Sequence, residues 1–195
     1  MSSSQDAASN PPERSGGLPP PARYITTHRA DGKSIFQTDI PDAVPAQAIR
    51  PEVDFRLVYT TSESPVSLQG EGDIQKYRAF LEGEKPGLII KGGTVVRICD
   101  YAPGGPPAIM HRTMSLDYGV VLVGEVDAIL DSGEVRHLKV GDIVVQRQTN
   151  HAWVNASKDK WARMLFILQE AVPLTIGSQT LAEDYGEIKG VAPST

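Results

Sequence analysis

The chain has little of several features that would place it at once in a class of proteins. It contains one cysteine in 195 residues, so no intramolecular disulfide can form. No apolar run reaches the roughly 18 residues that a membrane-spanning helix needs, so no membrane span is expected. A net charge of −5 argues against the clustered basic surface that nucleic acid requires. We therefore expect no disulfide framework, no membrane partner and no nucleic-acid partner.

The N-terminal segment lacks an apolar stretch as well. Residues 1–21 are rich in serine, proline and glycine, which predicts a disordered tail, with order beginning near Arg23. The segment does not have the pattern of a secretory signal, and its acidic residues and prolines make it a poor mitochondrial presequence. The expected location is therefore the cytoplasm.

The next part of the chain alternates short strands with one helix. Strands are predicted over 24–28, 34–38 and 53–60 from their β-branched and aromatic residues. A helix is predicted over 73–81, where Asp73 is expected to cap the N-terminus and Ile74, Tyr77, Phe80 and Leu81 form one apolar stripe. We expect residues 22–90 to pack as strands and a helix on the domain that follows.

From residue 92 onward, predicted strands follow each other at short intervals. They cover 92–100, 117–123, 126–130, 135–140, 143–147, 151–155 and 161–169. Turns at 131–134 and 141–142 contain glycines where a positive φ is expected. This spacing predicts an all-β sandwich or barrel over residues 91–170, followed by a C-terminal tail at 171–195 with a short helix around 179–185. Cys99, within an apolar strand, is expected to be a small buried hydrophobe.

Side chains that can do chemistry lie on two of these segments. His111, Thr113 and Asp117 all have odd numbers, so on an extended chain they point to one face. The second segment brings another histidine, His151, at the end of an apolar strand-like run. Two histidines and one carboxylate that converge inside a β-barrel can bind a divalent metal or carry out acid–base chemistry.

The first segment resembles the first motif of the cupin family. Gly105 precedes His111 by the family's five-residue spacing, and Gly124 closes the motif at the expected position. Thr113 stands where the family has a second histidine, and Asp117 stands in place of the glutamate. The resemblance implies a cupin jelly-roll β-barrel, all-β with a few short helices, in a single copy.

The second segment resembles the second cupin motif. Gly141, His151 and Asn155 match it, although His151 comes one residue early. Arg147 and Thr149 replace the proline and glycine that are usual there. Together the two motifs cover about residues 92–170.

The resemblance implies that His111, Asp117 and His151 hold one divalent metal, either iron, zinc or manganese. Because Thr113 cannot replace an imidazole as a ligand, three alternatives stay open. They are a site of two histidines and one carboxylate, weak adventitious metal binding, and a metal-free site in which histidine and aspartate move protons.

Further side chains complete the predicted site. By its parity Arg147 faces inward near the second histidine, where its charge favours an anionic substrate or an enolate. Arg97 is a candidate clamp for a carboxylate. Trp153 is placed to stack on an aromatic substrate. Thr113 and Asn155 are the other predicted substrate-binding residues.

The chain is similar to small stand-alone cupins found beside biosynthesis genes for bacterial and fungal metabolites. This similarity implies a tailoring enzyme with lyase chemistry, a dehydratase or decarboxylase, acting on an oxygenated, polyketide-like small molecule. His111 or His151 would remove a proton next to a carbonyl, Asp117 would orient that base, and Arg147 or a metal would stabilise the negative charge. The alternatives are a non-haem iron dioxygenase and a non-catalytic cupin that binds small molecules. The family also implies a homodimer, for which the strands within 24–38 are candidate edges.

Overall fold

The computed structural model describes residues 17–83, 85–105, 109–186, 188, 191, 192 and 194. The strands in these ranges are β1 (Thr26–His28), β2 (Ser34–Phe36), β3 (Gln47–Arg50), β4 (Val53–Thr61), β5 (Thr94–Tyr101), β6 (Ser115–Val123), β7 (Val126–Leu130), β8 (Val135–Leu138), β9 (Ile143–Arg147), β10 (His151–Asn155), β11 (Ala162–Glu170), β12 (Thr175–Ile176) and β13 (Gln179–Thr180). A 3-10 turn at Gln69–Glu71 leads into α1 (Gly72–Glu82). Across the described ranges, no helix has the length and apolar character needed to cross a bilayer.

Two antiparallel sheets form the body of the fold. One contains six strands in the order β3-β4-β5-β11-β6-β9, and the other contains three in the order β10-β7-β8. The inner faces meet at Trp153 on β10 and Phe166 on β11, whose ring centroids are 5.3 Å apart. The predicted all-β jelly roll is confirmed. The prediction treated residues 22–90 as a layer on the barrel, whereas β3 and β4 are hydrogen-bonded members of the larger sheet.

The helix lies where the sequence predicts it, but its N-terminus is not capped by Asp73. Glu71, the residue immediately before the helix, makes no side-chain capping hydrogen bond either. The Asp73 carboxylate instead accepts a 2.6 Å hydrogen bond from the Tyr59 hydroxyl on β4. Tyr77, on the apolar stripe, is fully buried, and its hydroxyl donates to the Leu57 carbonyl at 2.9 Å. These two contacts fix α1 to the sheet.

Two predictions for the chain ends are wrong. The segment around 179–185 is not helical, because β12 and β13 form a hairpin through Gly177, which has a φ of +62°. The predicted disorder of residues 1–21 does not hold for its described part: the Pro21 carbonyl accepts a 3.0 Å hydrogen bond from the Val44 amide. Residues 1–16 lie outside the described residues.

The candidate dimer edge forms a small sheet of its own. Strands β1 and β2 pair only with each other in the described part of the chain. Tyr24 and Phe36 are exposed there, with ring centroids 6.1 Å apart in an edge-to-face arrangement. The homodimer stays a prediction.

A buried charge cluster lies on the outer face of the six-stranded sheet. The Asp100 carboxylate accepts hydrogen bonds from Nε of Arg56 at 3.1 Å and from Nε and Nη2 of Arg163 at 2.6 and 2.8 Å. Arg56 also donates to the Val44 carbonyl at 2.8 Å, and Arg163 to the Pro19 carbonyl at 3.0 Å. The cluster therefore connects β4, β5 and β11 to the N-terminal segment that covers them.

Replacing Asp100 by asparagine should destabilise the fold strongly. The change leaves two buried guanidinium groups without their carboxylate, which typically costs about 3–5 kcal/mol. Asp39→Asn is the matched control, because Asp39 is exposed and lies 3.5 Å from Arg78. Its effect should stay within about 0.5 kcal/mol. Urea denaturation measures both, and equal losses would contradict a structural role for the cluster.

Gly124, which closes the first motif, joins β6 to β7 where the chain passes close to β11. Its φ is +72°, and a Cβ there would lie 2.8 Å from the Trp161 carbonyl oxygen and 3.0 Å from the Ala162 Cα. Both the left-handed conformation and the close approach of the backbone therefore require glycine.

Gly124→Ala should cost more stability than Gly133→Ala, measured by urea denaturation. Gly133 has a φ of +88°, but a Cβ at this position would meet open space, so its substitution adds only the left-handed strain of about 1–2 kcal/mol. At position 124 the clash with fixed backbone adds to that strain. Equal losses at the two positions would contradict the close approach at Gly124.

Candidate active site

A cavity lies between the two sheets, where alternate residues of several strands point inward. It is lined by Arg97, Cys99 and Tyr101 of β5, by Asp117 of β6, by His151 and Trp153 of β10, by Phe166 and Leu168 of β11, and by residues of neighbouring segments that include Arg50, Phe55, Leu88, Ile109, His111 and Thr113. The period of two along each strand explains why these residues share parity within a strand. The wall is largely apolar, with a small set of polar groups.

The two histidines of the motifs lie against each other. The amide of His111 donates to the carbonyl of His151 at 2.9 Å, and the reverse bond has the same length. This backbone exchange brings their side chains together, with ring centroids 4.3 Å apart. The predicted convergence of His111 and His151 is confirmed.

The hydrogen bonds of the histidine rings determine which nitrogen is free. Nδ1 of His111 lies 3.0 Å from the Ile109 carbonyl, and Nδ1 of His151 lies 2.9 Å from the Thr149 carbonyl. A carbonyl oxygen can only accept, so each Nδ1 carries the proton and each Nε2 keeps its lone pair. Backbone carbonyls thus orient both rings, the role that the sequence analysis gave to Asp117.

Both imidazoles favour the neutral form. Burial lowers the pKa of His111. Burial, together with the neighbouring His111, lowers the pKa of His151 to about 3. Because two imidazolium rings so close together would repel each other, the pair accepts at most one proton readily.

Asp117 lies in the same cavity and has the opposite tendency. Burial raises its pKa to about 6, against the effect of hydrogen bonds from Ser115 and Thr113. The Thr113 hydroxyl donates to Oδ2 of Asp117 at 3.2 Å, and the Ser115 hydroxyl donates to that of Thr113 at 2.9 Å. Oδ1 of Asp117 is buried and has no hydrogen-bond partner among the described residues. The carboxyl is therefore held through one oxygen and leaves the other available.

The donor set does not fit a three-ligand metal centre. Among the described residues, no three histidine, cysteine, aspartate or glutamate side chains converge closely enough to hold a metal ion. Thr113, which occupies the family's second histidine position, donates its hydroxyl proton to Asp117. The metal at His111, Asp117 and His151 stays a prediction.

Arg147 does not lie where its parity predicted. Its side chain is exposed, whereas Gln146 and Gln148 on either side are buried, and it does not line the cavity. Within β9 the alternation is regular, with the odd-numbered residues exposed, but this parity does not carry over to His151. Gln148, which lies between them, has a φ of +53° and changes the direction of the chain. The prediction that Arg147 stabilises charge in the site is therefore wrong.

Asn155 also lies outside the cavity lining. Its Nδ2 donates to the carbonyls of Tyr101 and Lys160 at 3.0 and 2.8 Å, and its Oδ1 accepts from the Ser157 amide at 2.9 Å. These bonds tie the turn after β10 to β5. The prediction that Asn155 contacts substrate is therefore not supported by its position.

The other predicted binding residues do line the cavity. Thr113 and Arg97 are buried in its wall. The Trp153 ring lies 5.3 Å from that of His151, on the wall shared with Phe166. Sequence reasoning did not name Arg50 or Tyr101. Tyr101 could have been found, because it shares the parity of Arg97 on one strand, whereas Arg50 ends a strand that the hydrophobic pattern did not reveal.

Comparisons with known proteins agree with the two motifs. No protein-family model matches the chain. A phomopsin biosynthesis cluster protein of Diaporthe leptostromiformis is 52% identical over 161 residues, which are 83% of this chain and 84% of that protein. A cupin-domain-containing oxidoreductase of Aspergillus ruber is 38% identical over 179 residues, 87% of this chain and 85% of the relative.

Among solved structures, the polyketide cyclase RemF from Streptomyces resistomycificus is similar with a TM-score of 0.44 and 16% identity, over 73% of this chain and 79% of RemF. The extent of the sequence matches, and not this weaker structural likeness, establishes the relationship. The chain belongs to the family of cupin-domain proteins that includes members of fungal biosynthesis clusters.

Proposed function

We propose that the chain is a tailoring enzyme of metabolite biosynthesis that catalyses a lyase reaction, dehydration or decarboxylation, on an oxygenated, polyketide-like small molecule. The observation that carries the proposal is the contrast within one cavity between two neutral imidazoles with free Nε2 atoms and a carboxyl group whose pKa is raised to about 6. Titratable groups whose environments shift their pKa values in different directions are typical acid–base pairs. Relatives named for biosynthesis clusters support the tailoring role.

In the dehydration, the histidine pair acts as the base. Nε2 of His111 or His151 removes a proton from the carbon next to a carbonyl, and the electron pair moves into the enolate. Without substrate, the low pKa of the two histidines makes them weak bases, because burial disfavours the positive charge of an imidazolium. The negative charge of the enolate beside the new imidazolium offsets that cost. The second imidazole stays neutral and can accept a hydrogen bond at its own Nε2.

Asp117 then acts as the acid. Its carboxyl proton goes to the leaving hydroxyl, the C–O bond breaks, and water departs as the enolate electrons form the new double bond. The imidazolium proton afterwards returns to the Asp117 carboxylate. In a decarboxylation the bond to CO2 breaks instead, Asp117 delivers its proton to the carbon that lost the carboxylate, and the Asp117 carboxylate then takes a proton from water.

An oxidoreductase is the second candidate, favoured by the name of the Aspergillus ruber relative. An iron-dependent dioxygenase would consume oxygen and would need iron at His111, Asp117 and His151, side chains that do not converge closely enough in this structure to hold one ion. Metal content of the purified protein and oxygen uptake during turnover distinguish it from the lyase. Binding of substrate without any turnover would instead indicate a non-catalytic cupin.

Substituting either histidine of the pair should remove activity without unfolding the protein. In His151→Asn the amide can still donate to the Thr149 carbonyl, but the Nε2 lone pair is lost, so kcat/KM should fall about 100-fold or more. His137→Asn is the control, because His137 is exposed on β8 and contacts Asp127 and Glu125. Release of water or CO2 from candidate substrates, followed by mass spectrometry, measures turnover. Undiminished turnover in His151→Asn would move the chemistry elsewhere.

The pH profile of kcat/KM should reflect Asp117. The active form carries a proton on this carboxyl, so the rate should fall as pH rises through about 6. His151, with a pKa of about 3, stays neutral at mildly acidic and neutral pH, so its protonation should not lower kcat/KM on the acidic side of the profile. A rate that instead rises through pH 6 would show that the ionised Asp117 is the active form.

A further inference from the structure

Arg97 places a positive charge inside the cavity. It lies in the middle of β5, opposite Leu57 of β4 and Phe166 of β11, and is only 4% exposed. Burial lowers its pKa. A guanidinium nevertheless keeps its proton in proteins, so the cavity contains a fixed cation.

The protein only partly satisfies this cation. Nη2 of Arg97 donates to the Gly87 carbonyl at 3.0 Å, and the guanidinium carbon lies 4.9 Å from the centroid of the Phe55 ring. Nε is buried without a hydrogen-bond acceptor, and no carboxylate forms an ion pair with Arg97 in the described ranges. Arg56 and Arg163, by contrast, both form ion pairs with the carboxylate of Asp100.

An uncompensated buried cation is costly, and a hydrophobic side chain of similar size would be more favourable for folding alone. The residue therefore suggests a binding function rather than a structural one. The missing partner must accept a hydrogen bond at Nε and supply negative charge inside the cavity. A ligand carboxylate does both, because its two oxygens match the fork of N–H groups on a guanidinium.

We propose that the cavity takes a carboxylic acid as substrate and that Arg97 binds its carboxylate through Nε–H and a neighbouring Nη–H. This inference rests on the proposed function, since it makes the same cavity the reaction site. A single guanidinium without a described counter-ion calls for a singly charged, planar group, which favours a carboxylate over a phosphate ester.

The wall between Arg97 and the histidine pair indicates the body of the substrate. Phe166 is the strand neighbour of Arg97, Trp153 lies 5.3 Å from Phe166, and His151 lies 5.3 Å from Trp153. A molecule held at Arg97 and reaching His151 therefore passes along aromatic rings, which suits a flat, unsaturated or aromatic acid. Because Arg97 stabilises the carboxylate, it opposes loss of that same group as CO2, and the reaction is a dehydration.

The test compares cinnamate with cinnamamide, which have similar shape and differ in charge. By isothermal titration calorimetry, the wild type should bind cinnamate about 10-fold more tightly or better, the expected effect of a charge-assisted pair. Arg97→Met should lose this preference and bind the amide as the wild type does. Arg147→Met, at an exposed arginine outside the cavity, should keep the preference.

Further measurements separate binding from folding. The melting temperature of ligand-free Arg97→Met should equal or exceed that of the wild type, and Arg97→Lys should keep part of the preference because it keeps the charge. The proposal is overturned if the wild type binds neither probe, if it shows no preference, or if the preference survives in Arg97→Met. It is equally overturned if Arg97→Met unfolds and Arg97→Lys has lost the preference.

Failure of the carboxylate site and failure of the proposed lyase activity give different results in these experiments. A preference that depends on Arg97, together with turnover that does not need His151, would retain the carboxylate site and reject the acid–base mechanism. Turnover that needs His151 but shows no preference for acids would reject only the carboxylate site.

Discussion

The fold depends on the neutralisation of Asp100 by two arginines from neighbouring strands. Arg56 and Arg163 reach the carboxylate from either side of β5, and both also bind carbonyls of the N-terminal segment. Without that segment, the outer face of the central strands would expose a row of charges and apolar residues to water. With it, β5 is buried on both faces, and its inner face becomes the rigid floor of the cavity. A site held on rigid strands keeps its side chains in place better than one held on loops.

Buried charge is paired within the protein on one face of β5 and lacks a carboxylate partner on the other. On the outer face, the carboxylate of Asp100 is paired with two arginines of the protein, and its neighbour on that face, Ile98, is apolar. On the inner face, Arg97 has no partner carboxylate among the described residues. A structural role accounts for the first arrangement, because every charge is paired. The second arrangement makes sense where a ligand completes the pairing, since natural proteins accept a loss of stability mainly at functional sites.

Sequence reasoning predicted most of the barrel, because period-two alternation and turn glycines are local signals. Strands β7, β9 and β10 begin and end at the predicted residues. Parity failed at Arg147, because the left-handed Gln148 separates the parity of β9 from that of β10. Asn155 is buried as its parity predicts, but its amide binds backbone groups and does not line the cavity. Neither a single left-handed residue nor a long-range hydrogen bond leaves a periodic trace in the sequence. The carbonyls that orient the two histidines are equally invisible there, because every residue has one.

The threonine in the first motif explains how the chemistry of this site can differ from that of a four-ligand cupin. An imidazole at position 113 would add a further nitrogen donor near Asp117 and favour an ionised carboxylate. Thr113 instead donates a hydrogen bond from a neutral hydroxyl to one oxygen of Asp117. This bond lowers the pKa of Asp117 by less than burial raises it, so the pKa stays above its usual value. The carboxyl therefore keeps its proton to a higher pH, while the histidines stay unprotonated. These are the protonation states that the proposed proton transfer requires of the carboxyl and of the two imidazoles.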